Sequence, residues 1–206
     1  MNKKIIYIII AIFAVIGLIV LASYLLSFRN VSFVLNSDVS GITIYKQGSA
    51  TELQKLSSSQ TIRLQTGGYS ITPSGTKIAT NEISTTIAKD TEININPDYS
   101  QSYLSSQLPD AEKSILAVLK SKYPAIISSY DIQKSQLFTK GQWFGGVLVN
   151  KASSYDNKKD LYRFIALKEN DTWQIVSYPD LVLTKKIYSN VPLEILNTVN
   201  EITIDN

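Results

Sequence analysis

Residues 109–124, PDAEKSILAVLKSKYP, mark the point at which the periodicity of the chain changes, and they decide its fold. Apolar residues recur there at i, i+4, i+7 and i+8, the spacing of an amphipathic helix: Ala111, Ile115, Val118 and Leu119. Pro109 and the acidic residues after it suit the first turn of a helix, and Pro124 would stop it. The pattern predicts one helix at the start of a mixed domain, residues 109–206.

Four strand-like segments follow this helix: roughly Ile132 to Thr139, Gln142 to Asn150, Leu161 to Lys168 and Trp173 to Tyr178. Two of their connections, Lys140-Gly141 and Glu169 to Thr172, have hairpin length. We therefore expect an α+β domain in which one helix packs on a four-stranded antiparallel meander. Gly145-Gly146 predicts a bulge or bend in the second strand. The tail from Pro192 to Ile202 predicts a short helix that caps the open edge of the domain.

The preceding segment, residues 30–97, shows short apolar runs between turn residues, which is typical of a small all-β sandwich. Six runs are strand-like: Val31 to Leu35, Ile42 to Tyr45, Thr61 to Leu64, Tyr69 to Thr72, Glu82 to Ile87 and Glu92 to Ile95. Gly67-Gly68 would supply the positive-φ positions of a tight turn between the third and fourth runs. Residues 98–108, rich in Ser, Gln and Tyr, are the expected linker.

Residues 1–29 hold the most apolar stretch of the chain, with no charge between Ile5 and Phe28. A helix from Ile5 to Leu26 would span about 33 Å, enough for a hydrocarbon core of about 30 Å. Two lysines precede the stretch and one arginine follows it, so the positive-inside bias places the N terminus in the cytoplasm. The sequence predicts a single-pass signal anchor in the plasma membrane, with the lipid bilayer around residues 5–28 and the rest of the chain outside.

Two alternatives to the anchor are a cleaved signal peptide and a buried core helix. A signal peptide has a shorter apolar core and a small-x-small cleavage site, which residues 23–28, SYLLSF, offer poorly. A core helix seldom carries so long a charge-free run. The uncleaved anchor is the preferred interpretation.

Composition excludes several kinds of chemistry. The chain has no Cys and no His, so disulfides, zinc fingers, cysteine nucleophiles and Ser/His/Asp triads are ruled out. Three of the 20 basic residues lie in residues 1–29, which leaves as many basic as acidic residues in the remainder. Without a basic surplus to neutralise phosphates, nucleic-acid binding is not expected.

The β-rich segment resembles the PEGA domain in its opening strand, in Gly41 to Tyr45 and in residues 64–71, LQTGGYSI. The Pro-Glu-Gly-Ala signature itself is replaced by residues 37–41, SDVSG. The resemblance covers residues 31–97 and implies a non-catalytic envelope or adhesion-type module. Residues 109–202 are similar to cystatin-like and NTF2-like domains, with Trp173 to Val176 matching a common final strand. This likeness concerns the fold and implies no activity.

Candidate site residues are scarce. Asp156 to Asp160 lacks the Gly and terminal Glu of a calcium loop and contains two lysines. No catalytic residue, metal site or cofactor is predicted. Aromatic side chains on the strands mostly serve the core, and the remainder could form a ligand or partner groove: Trp143, Tyr162 and Trp173 are the candidates.

The sequence therefore predicts an extracytoplasmic, non-enzymatic binding or scaffold component of the cell envelope, with an envelope protein or polymer as its partner. One alternative is a membrane-tethered enzyme that uses a pocket in the second domain. Another is an accessory subunit of a secretion or pilus-like complex.

Overall fold

The chain forms two compact units, Met1–Pro97 and Asp98–Asn206. The computed structural model describes residues 3–152 and 161–204, with side chains described from residue 12 onward. Both units mix helices and sheets.

Helix α1, Lys3–Leu26, opens the N-terminal unit. Within the described part of the chain, no helix combines the length and the apolarity that crossing a membrane requires. On this finding the predictions of a transmembrane span from Ile5 to Leu26 and of a plasma-membrane localisation are wrong.

Two small sheets follow α1. Their strands are β1, Phe28–Leu35; β2, Gly41–Lys46; β3, Glu52–Leu56; β4, Gln60–Gln65; β5, Gly67–Ser74; β6, Ile83–Ile87; and β7, Thr91–Ile95. One sheet has the order β4-β1-β7 and the other β3-β2-β5-β6. Buried apolar side chains come from both sheets, among them Val31 and Phe33 of β1 and Ile42, Ile44 and Ile71 of the other sheet. Strand β1 pairs antiparallel with β4 and parallel with β7.

Two details of this unit differ from the sequence prediction. Strand β3 was not expected, because four of its five side chains are exposed and only Leu56 points inward. The predicted tight turn at Gly67-Gly68 is wrong, because β4 and β5 lie in different sheets. Gly67, with φ of +151°, instead begins β5 where the chain passes from one sheet to the other.

The C-terminal unit is built on a four-stranded sheet of order β11-β10-β9-β8, antiparallel throughout. Its elements are α2, Gln101–Lys122; α3, Pro124–Ser129; β8, Tyr130–Phe138; a 3₁₀ turn, Thr139–Gly141; β9, Trp143–Asn150; β10, Leu161–Glu169; β11, Thr172–Ile175; and α4, Leu193–Glu201. One face of the sheet packs on α2, through Ala111, Ile115 and Leu119.

Helix α2 begins at Gln101, so most of the predicted linker, residues 98–108, is helical. The hydroxyl of Ser100 caps the helix by accepting a hydrogen bond from the Tyr103 amide at 3.3 Å. Pro109 therefore lies inside the helix instead of at its start. Because proline has no N–H, the carbonyl of Ser105 has no hydrogen-bond donor within the helix. Ser105 is exposed to solvent.

Helix α4 covers the second face of the sheet, not an edge as predicted from the tail. Its Ile195, Leu196 and Val199 form a buried cluster with Ile165 of β10. The sheet is thus sandwiched between α2 and α4.

Gly145 and Gly146 allow close packing on both faces of the sheet. The register of β9 is continuous through them, and within the described β8–β9 pairing the register shifts between Ile132 and Lys134 of β8. The bulge, one of the two predicted alternatives, is therefore absent from β9 at these glycines. A Cβ at Gly145 would overlap Val199, and one at Gly146 would come within 2.7 Å of the Phe164 ring. Because glycine has no side chain, α4 and the aromatic core can pack close to the sheet at these two positions.

The substitution Gly146→Val is expected to lower the free energy of unfolding by about 1–3 kcal/mol, because the added atoms overpack a well-filled core. Urea unfolding followed by circular dichroism measures this loss. Gln174→Val is the control, since it places the same side chain at an exposed position of the same sheet. A Gly146→Val variant as stable as the parent would contradict the packing role.

Candidate binding groove

A groove of ≈570 Å³ lies where the first half of α2 faces the 3₁₀ turn and the β10–β11 hairpin. Its floor is apolar and contains Leu104, Ala111, Val118, Leu137 and Trp173. Its rim is polar and carries Gln107, Asp110, Ser114, Lys140, Lys168, Asp171 and Thr172, together with Tyr99 and Tyr103. A groove of this volume, with an apolar floor and a polar rim, has room for a small ligand.

Aromatic side chains form one wall and the floor of the groove. The rings of Tyr99 and Tyr103 meet edge to face, with centroids 4.9 Å apart. Trp173 is 8% exposed and packs edge-on against Phe144 at 6.2 Å. Tyr99 lies immediately before the N-cap residue Ser100, and Tyr103 lies in the first turn of α2, so the early start of this helix places the pair on the groove.

The charged side chains of the rim balance. Two lysines, Lys140 and Lys168, face two aspartates, Asp110 and Asp171. The Lys168 ammonium lies 3.1 Å from the Asp171 carboxylate, and the Lys140 ammonium lies over the Tyr99 ring at 5.8 Å. The groove therefore has no net charge with which to attract an ionic ligand.

Turn geometry explains how the rim is held. Asn170 and Asp171 both have positive φ, 46° and 58°, as a two-residue hairpin of the I′ type requires. This hairpin brings Lys168 directly opposite Trp173 in the β10–β11 ladder. Thr139, which precedes the groove residue Lys140, also has a positive φ, 45°, which is unusual for a β-branched residue and marks local backbone strain.

The three aromatic residues named from the sequence do not meet in one groove. Trp173 lines it, whereas Trp143 packs on the α4 side of the sheet. Tyr162 shares the α2 face with Trp173 but stacks on Tyr130 at 5.0 Å. Tyr162 and Trp173 are far apart, because Lys168, which pairs with Trp173, lies six residues along β10 from Tyr162, a distance of about 20 Å. Tyr99, Tyr103 and Gln107 were missed because they lie in the expected linker, residues 98–108. Lys140 and Lys168 were missed because they lie in or beside the expected hairpin connections.

Other polar clusters of the described residues are engaged within the protein. Beside β8, a second depression of ≈400 Å³ contains Ser135, whose hydroxyl donates to the Glu112 carboxylate at 2.5 Å. Asp90 accepts a hydrogen bond from the Asn30 amide at 2.9 Å. No cluster suited to a metal ion occurs among the residues the structure describes. The segment Asp156 to Asp160 lies outside them.

Arg163 joins three elements of the C-terminal unit. Its guanidinium donates to the carbonyls of Val199 at 3.1 Å, Leu181 at 2.7 Å and Ile202 at 3.3 Å. Val199 and Ile202 belong to the C-terminal end of α4, where a cation is favoured by the helix dipole. Burial lowers the pKa of Arg163 from its usual range. The side chain stays protonated at neutral pH nonetheless.

Two tyrosines outside the groove also have displaced pKa values. Burial raises the pKa of Tyr69 in the N-terminal unit. Burial likewise raises the pKa of Tyr188, opposed by its hydrogen bond to the Tyr178 carbonyl and helped by the nearby Asp180 carboxylate. Neither these tyrosines nor Arg163 line the groove, so the perturbed groups are structural.

Comparison with known proteins does not identify a function for the groove. No protein-family model matches the chain, and no curated protein matches it. Among solved structures, the chain is similar to a DUF3823 family protein from Bacteroides ovatus, with 9% identity and a TM-score of 0.27. That likeness covers 73% of this chain and 96% of the other.

Proposed function

We propose that the chain is a non-enzymatic binding protein whose C-terminal unit takes an uncharged, hydroxyl-rich polymer into the groove, with the N-terminal unit as its scaffold. The observation that carries the proposal is the combination of an aromatic floor and wall with a charge-balanced polar rim in one groove of ≈570 Å³. A neutral oligosaccharide fits this combination, because its C–H faces pack on aromatic rings while its hydroxyls bond to carboxylates, amides and ammonium groups.

Binding is favoured over catalysis by the state of the groove carboxylates. The Asp171 side chain is 97% exposed and is paired with Lys168. A general acid or base usually lies in a desolvated cleft, whereas Asp110 and Asp171 are both exposed. The chain also lacks the imidazole and thiol groups that most often perform such steps.

Calorimetric titration of the full chain tests the proposal. Hexasaccharides of glucose, mannose and N-acetylglucosamine are the probes, and a hexauronate of the same length is the charged comparison. At least one neutral hexasaccharide is expected to bind and the hexauronate to bind more weakly. Heat changes absent with all the neutral probes, or stronger binding of the hexauronate, would contradict the proposal.

Tyr99→Ala is expected to weaken the binding of a neutral hexasaccharide at least tenfold, which corresponds to about 1.4 kcal/mol. The substitution removes half of the tyrosine pair and the ring beneath Lys140. Tyr178→Ala is the matched control, because Tyr178 is an exposed tyrosine of the same unit that does not line the groove. Equal affinities of the two variants would count against the tyrosine wall as the binding surface.

A further inference from the structure

The two sheets of the N-terminal unit end in four edge strands: β4, β7, β3 and β6. An edge strand presents backbone N–H and C=O groups that can pair with another strand, so proteins usually protect such edges with charges, proline or bulges. All residues of these four strands are described, and their protection can be compared directly.

Three of the edges carry protecting features. Strand β4 contains Arg63 and β7 contains Glu92. Strand β3 contains Glu52 and Lys55, and its pairing with β2 shifts register between Ile44 and Tyr45. Each of these would disfavour the approach of a further strand.

Strand β6 has none of these features. Its sequence, Ile-Ser-Thr-Thr-Ile, contains no charge and no proline. Its pairing with β5 is continuous from Ile83 to Ile87. Ser84 and Thr86 are exposed. The β-branched residues that dominate the strand favour extended pairing.

The sequence of β6 is also close to a palindrome. If two copies pair antiparallel about Thr85, each Ile83 lies opposite an Ile87, each Ser84 opposite a Thr86, and Thr85 opposite itself. Hydroxyl pairs of this kind, and β-branched pairs, stabilise neighbouring strands. A strand of unrelated sequence would match this pattern only by chance, whereas a second copy always does.

We propose that β6 is a self-pairing edge, through which two copies of the chain join their four-stranded sheets across a two-fold axis at Thr85. The interface is isologous, as is usual for homodimers. A five-residue strand pair buries little surface compared with a stable dimer, so the association is weak and depends on concentration.

Sedimentation of the full chain tests the proposal. The mass is expected to rise from 22.9 kDa toward twice that value as the concentration passes about 100 µM, a weak-dimer range. The double substitution Ser84→Lys with Thr86→Lys places like charges opposite each other and is expected to abolish this rise. Ser84→Glu with Thr86→Lys is the matched control, because it places opposite charges there and is expected to keep the dimer.

A cysteine test uses the absence of Cys from the chain. Thr85→Cys puts two thiols on residues directly opposite each other, at a Cα separation of about 5 Å that suits a disulfide. Thr86→Cys separates the Cα atoms by about 8 Å, beyond the usual limit. Oxidation is expected to link the first variant faster than the second. Equal rates of disulfide formation in the two cysteine variants would overturn the proposal. So would a double-lysine variant whose mass rises with concentration as the parent's does.

Discussion

The substitution Trp173→Ala is expected to lower the free energy of unfolding of the C-terminal unit by about 3–5 kcal/mol. Trp173 is 8% exposed, packs on Phe144 and belongs to the cluster between the sheet and α2. Removing the indole deletes that packing and leaves a cavity beneath the groove. Urea unfolding measures the loss, with the remaining Trp143 as its fluorescent reporter.

Trp143→Ala is the matched control for this prediction. Trp143 is only partly buried, on the opposite face of the sheet beside α4. Its truncation removes less buried surface and is expected to cost less than that of Trp173. If the two variants lost equal stability, the placement of Trp173 in the principal core would be wrong.

Arg163→Met is expected to destabilise the same unit by about 2–4 kcal/mol. Methionine keeps the aliphatic stem but leaves the carbonyls of Val199, Leu181 and Ile202 without their charged donor. The segment between β11 and α4 depends on this donor, together with Asn200, whose amide bonds both backbone groups of Leu183. Amide hydrogen exchange should therefore quicken first around residues 181–183.

Arg163→Lys separates charge from geometry. Lysine keeps the positive charge at the end of α4 but cannot reach three carbonyls with a planar fork. An intermediate stability is expected, above that of the methionine variant and below that of the parent. A methionine variant with parental stability would show that water replaces the guanidinium at no cost.

How far the sequence predicted the fold can be seen at helix α2. The spacing of Ala111, Ile115 and Leu119 predicted a helix there, because those side chains face the core. Its start was misplaced, since Pro109 is most often found in a first turn. Leu104 extends the apolar face upstream of the proline, and Ser100 supplies the cap. Both signals were present, but local propensity at Pro109 concealed them.

Sequence patterns could not predict which strands pair when they are distant along the chain. The hairpin length of Gly67-Gly68 suggested that β4 pairs with β5, whereas the chain crosses between sheets there. The side of the sheet on which Trp143 and Trp173 lie depends on strand register, and a shift of one residue reverses it. Of the predicted groove residues, only Trp173 lines the groove. Tyr103, Gln107, Asp110 and Ser114 recur at i, i+4, i+7 and i+11, a helical spacing that could have indicated one wall of the groove.

The most direct test of the binding groove is an NMR titration of the full chain, in which the two indole N–H signals are followed as a neutral hexasaccharide is added. The chain has two tryptophans, one in the groove and one on the opposite face of the sheet. We expect the Trp173 indole signal and the Tyr103 and Gln107 amide signals to shift and the Trp143 indole signal to stay in place. A ligand that shifts Trp143 and leaves Trp173 unmoved would contradict this expectation.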